Sequence, residues 1–314
     1  MSESEPAARL SSTPAWPRDS DLLGRGDARH LSAGHLRAAC APEADMQTAS
    51  SRVNRAVSVG GPGSLLRKYL GDRRFALALP RAVALQILHP AIAAALTEHV
   101  TYRLWLHKRR TVNAMVQIAY SDRDLRSLIH AGHAHVQGGD DSGARYHALR
   151  PDVFFFQHAT YVDTLFFAIN TFIRPLTPEE SDGLYRECVE WYGRYGISAR
   201  YMPRTLPQFR DYLEDACATT LRTSPAAAQL APQVLRPDAW IPRALPDSVV
   251  RAIQHPRARD LLGVPPRRGD RSALRLYALA SRAAGSVAPR RVKYLHPART
   301  AGIGASWGVG QGGD

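Results

Sequence analysis

The stretch FALALPRAVALQILHPAIAAAL, residues 75–96, decides how this chain folds. It is about as long as a bilayer-spanning helix and is rich in Ala, Leu and Ile. Pro80, Arg81, Gln86, His89 and Pro90 interrupt it, and several polar groups with two prolines at mid-span are costly in hydrocarbon. The reading adopted is a pair of helices buried in a protein core. Leu85, Leu88, Ile92 and Leu96 recur at helical spacing over residues 82–96. Pro90 pushes His89 away from helical geometry, so a kink or helix junction is expected there.

Helical patterns continue outward from this pair. A helix is expected over 122–137, with Ser121 as cap, Asp124 as its acidic partner and an apolar stripe of Leu125, Ile129, His133 and Val136. Gly138-Gly139 closes it, and Asp140 to Gly143 reads as a turn. After Pro151 a helix over 152–170 carries Phe154, Phe155, His158, Val162, Leu165, Phe166 and Ile169. Thr177-Pro178-Glu179-Glu180 combines a capping threonine, a proline at the first helical position and acids on the positive end of the dipole. Leu184, Cys188 and Trp191 form the buried face that follows, and another helix starts at Leu206-Pro207. Beyond residue 226 prolines shorten the rhythm, with helices expected from Pro246 to about Arg259 and from Ser272 to Ala284. No run of alternating strands is evident, so the expected fold is an all-α helical bundle.

Residues 1–60 are polar and weakly periodic, which reads as a disordered or loosely packed segment ending at Gly60-Gly61-Pro62-Gly63. A helical domain is expected over 61–225, a basic helical extension packed on it over 226–300, and a glycine-rich flexible tail over 301–314. The net charge of +13 is uneven: residues 226–314 hold fourteen Arg or Lys against five acids. Such a surface could meet anionic lipid peripherally. No zinc-finger or RRM-type signature accompanies it, so no specific nucleic-acid role is expected. Cys40, Cys188 and Cys217 form no CxxC pair, which argues against a disulfide scaffold or a cysteine metal site. Residues 1–20 show no apolar stretch behind a basic start, so a cytoplasmic chain, free or at a membrane surface, is expected.

Eight of the twelve histidines lie between positions 89 and 158. His133 and His158 both sit on apolar helical stripes, where an imidazole needs partners for its ring nitrogens. Each could be a hydrogen-bonded core histidine or a ligand. His89 could fix the helix junction. His135 points away from His133, so this segment alone does not build a three-histidine metal site. The run His107-Lys108-Arg109-Arg110-Thr111 could be a solvated helix end or an anchor for carboxylates. HExxH, GxSxG, the P-loop and a strand–helix GxGxxG are all lacking, which leaves zinc-protease, nucleophilic hydrolase, NTPase and nicotinamide chemistry unsupported.

Several segments resemble a known family when taken in order. They are Gln86-Ile87-Leu88-His89-Pro90 with Ala94 and Glu98-His99, then Arg109-Arg110-Thr111, then His133-Ala134-His135-Val136-Gln137-Gly138. Tyr146, Ala148-Leu149 and Pro151 follow, then His158-Ala159-Thr160 with Val162-Asp163, and Pro175 to Glu180. Together they resemble the DUF2236 family, which includes the MpaB-type oxygenases and the catalytic domain of latex-clearing protein, a rubber oxygenase. The resemblance implies a helical core with a globin-like arrangement holding haem b. It implies an oxygenase that uses O2 to cleave a carbon–carbon double bond of an apolar, isoprenoid-like substrate. His133 would be the iron ligand. Arg110, Thr111 and His107 would lie on the catalytic side, and Arg109, His158 and His89 would help to bind the cofactor. In rubber oxygenase a lysine matches Arg110 and an arginine matches His107. Its catalytic glutamate has no matching position here, with Glu98 nearby. The alternative is a non-catalytic helical protein that keeps the fold and binds a hydrophobic ligand or a partner.

Overall fold

The computed structural model describes residues 63–300 except Thr101 and Asp122; for Thr300 it describes only the backbone. The segments expected to be loose, 1–60 and 301–314, lie outside the described residues. The fold is all-α, and its centre is the stretch quoted first.

Helix α1 spans Leu65–Tyr69 and α2 spans Arg73–Leu88. Every residue of α2 from Arg74 to Leu88 is buried. His89 then leaves helical geometry at φ −82° and ψ 119°, and α3, Pro90–His99, turns away at 100°. The expected junction therefore stands where Pro90 demands it. No single described helix is long and apolar enough to cross a membrane; the α2–α3 pair reaches that length only across the bend.

Helix α4, Leu104–Tyr120, buries Leu104, Trp105, Lys108, Val112, Met115, Val116 and Ala119 along one face. The helix expected over 122–137 is shorter: α5 covers Arg126–His133 only. Ser121 and Asp124 cap local turns at Arg123 and Arg126 instead of one continuous helix. The chain then enters a small antiparallel hairpin, β1 Gln137–Gly139 with β2 Arg145–His147. Asp140 holds its turn by accepting from Ser142 N, Ser142 Oγ and Ala144 N. Gly143 adopts φ +81° there, a conformation open to glycine without strain.

Helix α6, Pro151–Ala168, lies along α2 and ends in a π-turn over Ile169–Ile173. Helix α7, Pro178–Gly193, begins with the expected capping box of Thr177 and Glu180. Its buried Glu187 accepts from Ser64 Oγ, Leu65 N and Leu66 N, so a carboxylate of α7 satisfies the free amides that open α1. Then follow α8, Leu206–Thr219, and α9, Pro225–Leu235, which packs on α2 and α3. The helix expected from Pro246 to Arg259 is divided at Gln254 into α10, Asp247–Ile253, and α11, Pro256–Leu262; Pro256 forbids continuation. Helix α12, Asp270–Val287, packs on α10 and the π-turn, and the short α13, Arg290–Lys293, and α14, His296–Thr300, complete the described chain.

A helix buried on all sides must bring partners for its polar side chains. Arg81 Nε donates to Asp163 Oδ2 on α6 at 2.7 Å, its Nη1 reaches the Ile253 carbonyl of α10, and both partners of the ion pair are nearly solvent-free. Arg81 thus joins α2, α6 and α10. Asp163→Asn leaves a buried guanidinium unpaired and is expected to cost about 3–5 kcal/mol in denaturant unfolding, most of it recovered in the Arg81→Met/Asp163→Leu double variant.

Candidate functional site

The candidate residues lie on α4 and α5. His107 lies one turn into α4, and its phase on that helix puts Thr111 directly after it. The Thr111 hydroxyl donates to the His107 carbonyl at 3.2 Å and lies 3.4 Å from the ring Nε2. On the other side the Tyr102 hydroxyl is 3.4 Å from Nδ1, and the Arg110 guanidinium stacks over the Tyr102 ring at 4.8 Å. His107, Thr111, Tyr102 and Arg110 therefore form one group. Burial pushes the His107 pKa down to about 3, with the charges of Lys108, His133 and Arg110 acting in the same direction. The imidazole is neutral at neutral pH.

His133 ends α5 and lies within electrostatic reach of His107. Its Nδ1 is 2.8 Å from the Ile129 carbonyl. A carbonyl only accepts, so Nδ1 carries the proton and the lone pair is on Nε2. Desolvation lowers its pKa, opposed by the Ile129 bond and assisted by His135 and His130. The ring meets Phe154 of α6 edge-on, with centroids 5.7 Å apart. A neutral imidazole with its second nitrogen held by a backbone carbonyl has the donor chemistry of a metal ligand.

His158 stands in a different environment. It is fully buried among Phe155, Trp191, Tyr192 and Tyr195, with the Trp191 ring 4.5 Å away. The Cys188 carbonyl favours its protonation, yet neither ring nitrogen reaches a partner at hydrogen-bonding geometry. Burial drives its pKa down to about 3. Phe154 and Tyr195, whose centroids are 5.3 Å apart, stand between His158 and His133. His89 packs on Phe156 at 5.0 Å with its Nδ1 buried and unpartnered, and burial lowers its pKa to about 4. Arg109 is exposed. The structure thus groups His107, Arg110 and Thr111 around Tyr102, sets His133 against Phe154 within electrostatic reach of His107, and places His158 and His89 in other parts of the core.

The basic run is not uniformly solvated. Lys108 is buried, and its Nζ donates to Gln86 Oε1 at 2.7 Å, while Gln86 Nε2 donates to Thr160 Oγ1 at 2.7 Å. Desolvation alone brings the amine down to about 7. This chain ties α4 to α2 and α6, directly behind His107. Sequence reasoning missed it, although Lys108 falls four residues after Leu104 and four before Val112, on the apolar face of the helix. A second unforeseen group lies on α3 and the hairpin. The Tyr146 hydroxyl donates to Glu98 Oε2 at 2.5 Å, and a Cβ at Gly138 would lie 2.5 Å from that carboxylate oxygen, so β1 approaches only because position 138 is glycine. The His99 ring lies edge-on to both His135 and Tyr146.

Among the described residues no group of three His, Cys, Asp or Glu side chains is placed to hold a metal ion. A porphyrin brings four nitrogens of its own and asks the protein for a single imidazole, which His133 offers. A cavity of about 220 Å³ lies away from these histidines, between α1, α12 and α13.

Stability should carry the mark of the buried imidazoles. His89, His107 and His158 have folded pKa values of about 4, 3 and 3 against an ordinary 6.5. The unfolded chain therefore binds more protons between those limits, and folding stability falls as pH drops from about 6.5 toward 4. Melting temperature followed over that window is expected to decline, and more shallowly in His158→Phe; a flat profile contradicts the buried neutral state.

The comparisons with known proteins bear on this geometry. The family described as ER-bound oxygenase mpaB/B'/Rubber oxygenase, catalytic domain, matches residues 67–283, more than half of the chain. No curated protein and no solved structure gives a significant match.

Proposed function

Because the chain belongs to this oxygenase catalytic-domain family, we propose that it is a haem b-dependent oxygenase cleaving a carbon–carbon double bond in an apolar, isoprenoid-like substrate. One observation carries the cofactor assignment. His133 holds its Nδ1 proton on the Ile129 carbonyl and keeps Nε2 for a ligand. Bound haem would supply the iron at which O2 is activated. Everything else falls to the chain's own side chains.

His133 Nε2 would hold the iron, and the Ile129 carbonyl would keep the ring oriented and raise its basicity. His107, neutral through burial, and the Thr111 hydroxyl offer an acceptor and a polar contact close to it. Arg109 is an exposed guanidinium suited to two-pronged pairing with a propionate carboxylate, while Arg110, stacked on Tyr102 beside His107, would lie on the catalytic side. Phe154, half-buried and already against His133, would wall the apolar side where substrate sits and water is excluded. Lys108 is a positioning residue: its bond to Gln86 fixes the rotation of α4, and with it the direction of His107 and Thr111.

The element carrying His133 can yield. Helix α5 buries Ile129 alone among its side chains and leaves Leu128 66 % exposed. A short helix so lightly anchored opens at low cost, which suits admission of a planar cofactor beside it.

The absorption spectrum of the purified protein, before and after dithionite, tests the assignment. A Soret band is expected, present in His135→Ala and absent from His133→Ala. Colourless protein after expression with ample haem precursor overturns it. In haem-loaded protein, Arg110→Ala and Thr111→Ala should retain the Soret band and lower the yield of carbonyl-ended fragments from a polyisoprenoid roughly tenfold or more.

A further inference from the structure

Helix α12 is apolar on two faces. Leu274, Tyr277, Ala278 and Gly285 turn inward, where Tyr277 meets Phe172 of the π-turn at 6.2 Å. On the outer side Leu276 is 69 % exposed, Leu279 60 % and Val287 84 %, and Val292 of α13 is 55 % exposed. At roughly 100° per residue, Leu276, Leu279, Ala283 and Val287 fall within roughly 80° of one another, so they form one ridge. Arg271, Arg275 and Arg282 fall within roughly 40° of one another, along the edge beside that ridge.

The cavity noted above opens on the same edge. Its charged lining is Lys68, Arg74, Arg174, Arg282 and Lys293 against the single carboxylate of Asp72. Arg74 is neutralised by Asp72 at 2.6 Å, and Arg282 donates to the Asn170 and Thr171 carbonyls. Lys68 and Lys293 have no carboxylate ion pair among the described residues. Tyr69 is buried at the floor of the cavity, with the Arg174 guanidinium over its ring at 5.8 Å. Two ammonium groups held over tyrosine rings, with the guanidinium groups of Arg174 and Arg282, outnumber the one carboxylate, Asp72, around about 220 Å³ and make a receptor for a phosphate group.

We propose that the outer face of α12 and α13 is a peripheral binding surface for a bilayer containing anionic phospholipid, with a headgroup phosphate seated in the adjoining basic cavity. The inference is independent of the haem assignment. Charge selects the occupant. Between residues 261 and 300 there are nine Arg or Lys against one acid, Asp270, and that acid is held by Arg251. A second copy packed antiparallel on the ridge would bring the cationic edge of one copy alongside the cationic edge of the other. Nucleic acid would satisfy the cations and leave a leucine ridge in water. An anionic lipid surface satisfies both: the ridge enters the acyl boundary and the guanidinium edge stays among headgroups.

Co-sedimentation of the full chain with vesicles decides the matter. Binding is expected to phosphatidylcholine vesicles containing phosphatidylglycerol, with little to phosphatidylcholine alone, and to weaken in high salt. Leu276→Ser/Leu279→Ser should weaken partitioning about tenfold or more. Lys68→Gln/Lys293→Gln should weaken it by roughly 10- to 30-fold, since each cation near an anionic surface is worth about fivefold. All four side chains are exposed or half-buried, and unchanged circular dichroism confirms that the variants fold. Equal partitioning of variants and parent overturns the proposal. So does equal binding to neutral vesicles, binding of inorganic phosphate without binding of vesicles, or a dimer that dissociates in Leu276→Ser/Leu279→Ser.

Discussion

A helix with water on no side sets the terms for this fold. From Arg74 to Leu88, α2 is surrounded by protein, and the polar side chains it carries cannot be left bare in a low-dielectric interior. Arg81 is satisfied by Asp163 of α6 and the Ile253 carbonyl of α10. Gln86 accepts from Lys108 of α4 and donates to Thr160 of α6. These two side chains therefore fix how three neighbouring helices are rotated and where they sit along α2. The apolar surface supplies the drive to bury the helix, and the polar bonds choose one arrangement of those that bury it.

The site inherits this order unevenly. Helix α4, which shows His107 and Thr111, is pinned from behind by the Lys108–Gln86–Thr160 chain. Helix α5, which shows His133, is pinned by one apolar side chain. The hairpin after it leans on Glu98 and Tyr146 through a glycine. One half of the site is thus part of the rigid core and the other half is lightly held. That division leaves the α4 side chains fixed while the segment carrying His133 can open. The aromatic block of Phe154, Tyr195, Trp191 and His158 sets the boundary between the halves and the deeper core.

Much of the framework was legible in the chain because it rests on local chemistry. The break at His89 follows from the steric demand of Pro90 on the residue before it. The start of α7 follows from Thr177, Pro178 and Glu180, whose capping bonds span only three residues. The hairpin was not legible: strands of three residues carry too little alternation to separate them from a helix end, and their pairing depends on Gly138 meeting a tyrosine and a glutamate from elsewhere in the chain. Lys108 was hidden for a related reason. Its neighbours Arg109 and Arg110 are exposed, and a run of three cations reads as solvated until the phase of α4 is followed through Leu104 and Val112.

The amino-acid order alone determined the all-α class, the bend at His89–Pro90, the capped starts of the longer helices and the membership of the residues in an oxygenase family pattern. These depend on backbone sterics, hydrophobic period and residue identity, which act over a few positions. Only the tertiary structure decided which histidines meet, that Lys108 is buried while Arg110 is not, and that α12 keeps an apolar face in the open. Those outcomes depend on which distant side chain fills the space beside each group. An imidazole, an ammonium or a leucine takes its character from that neighbour's charge and from the water it displaces.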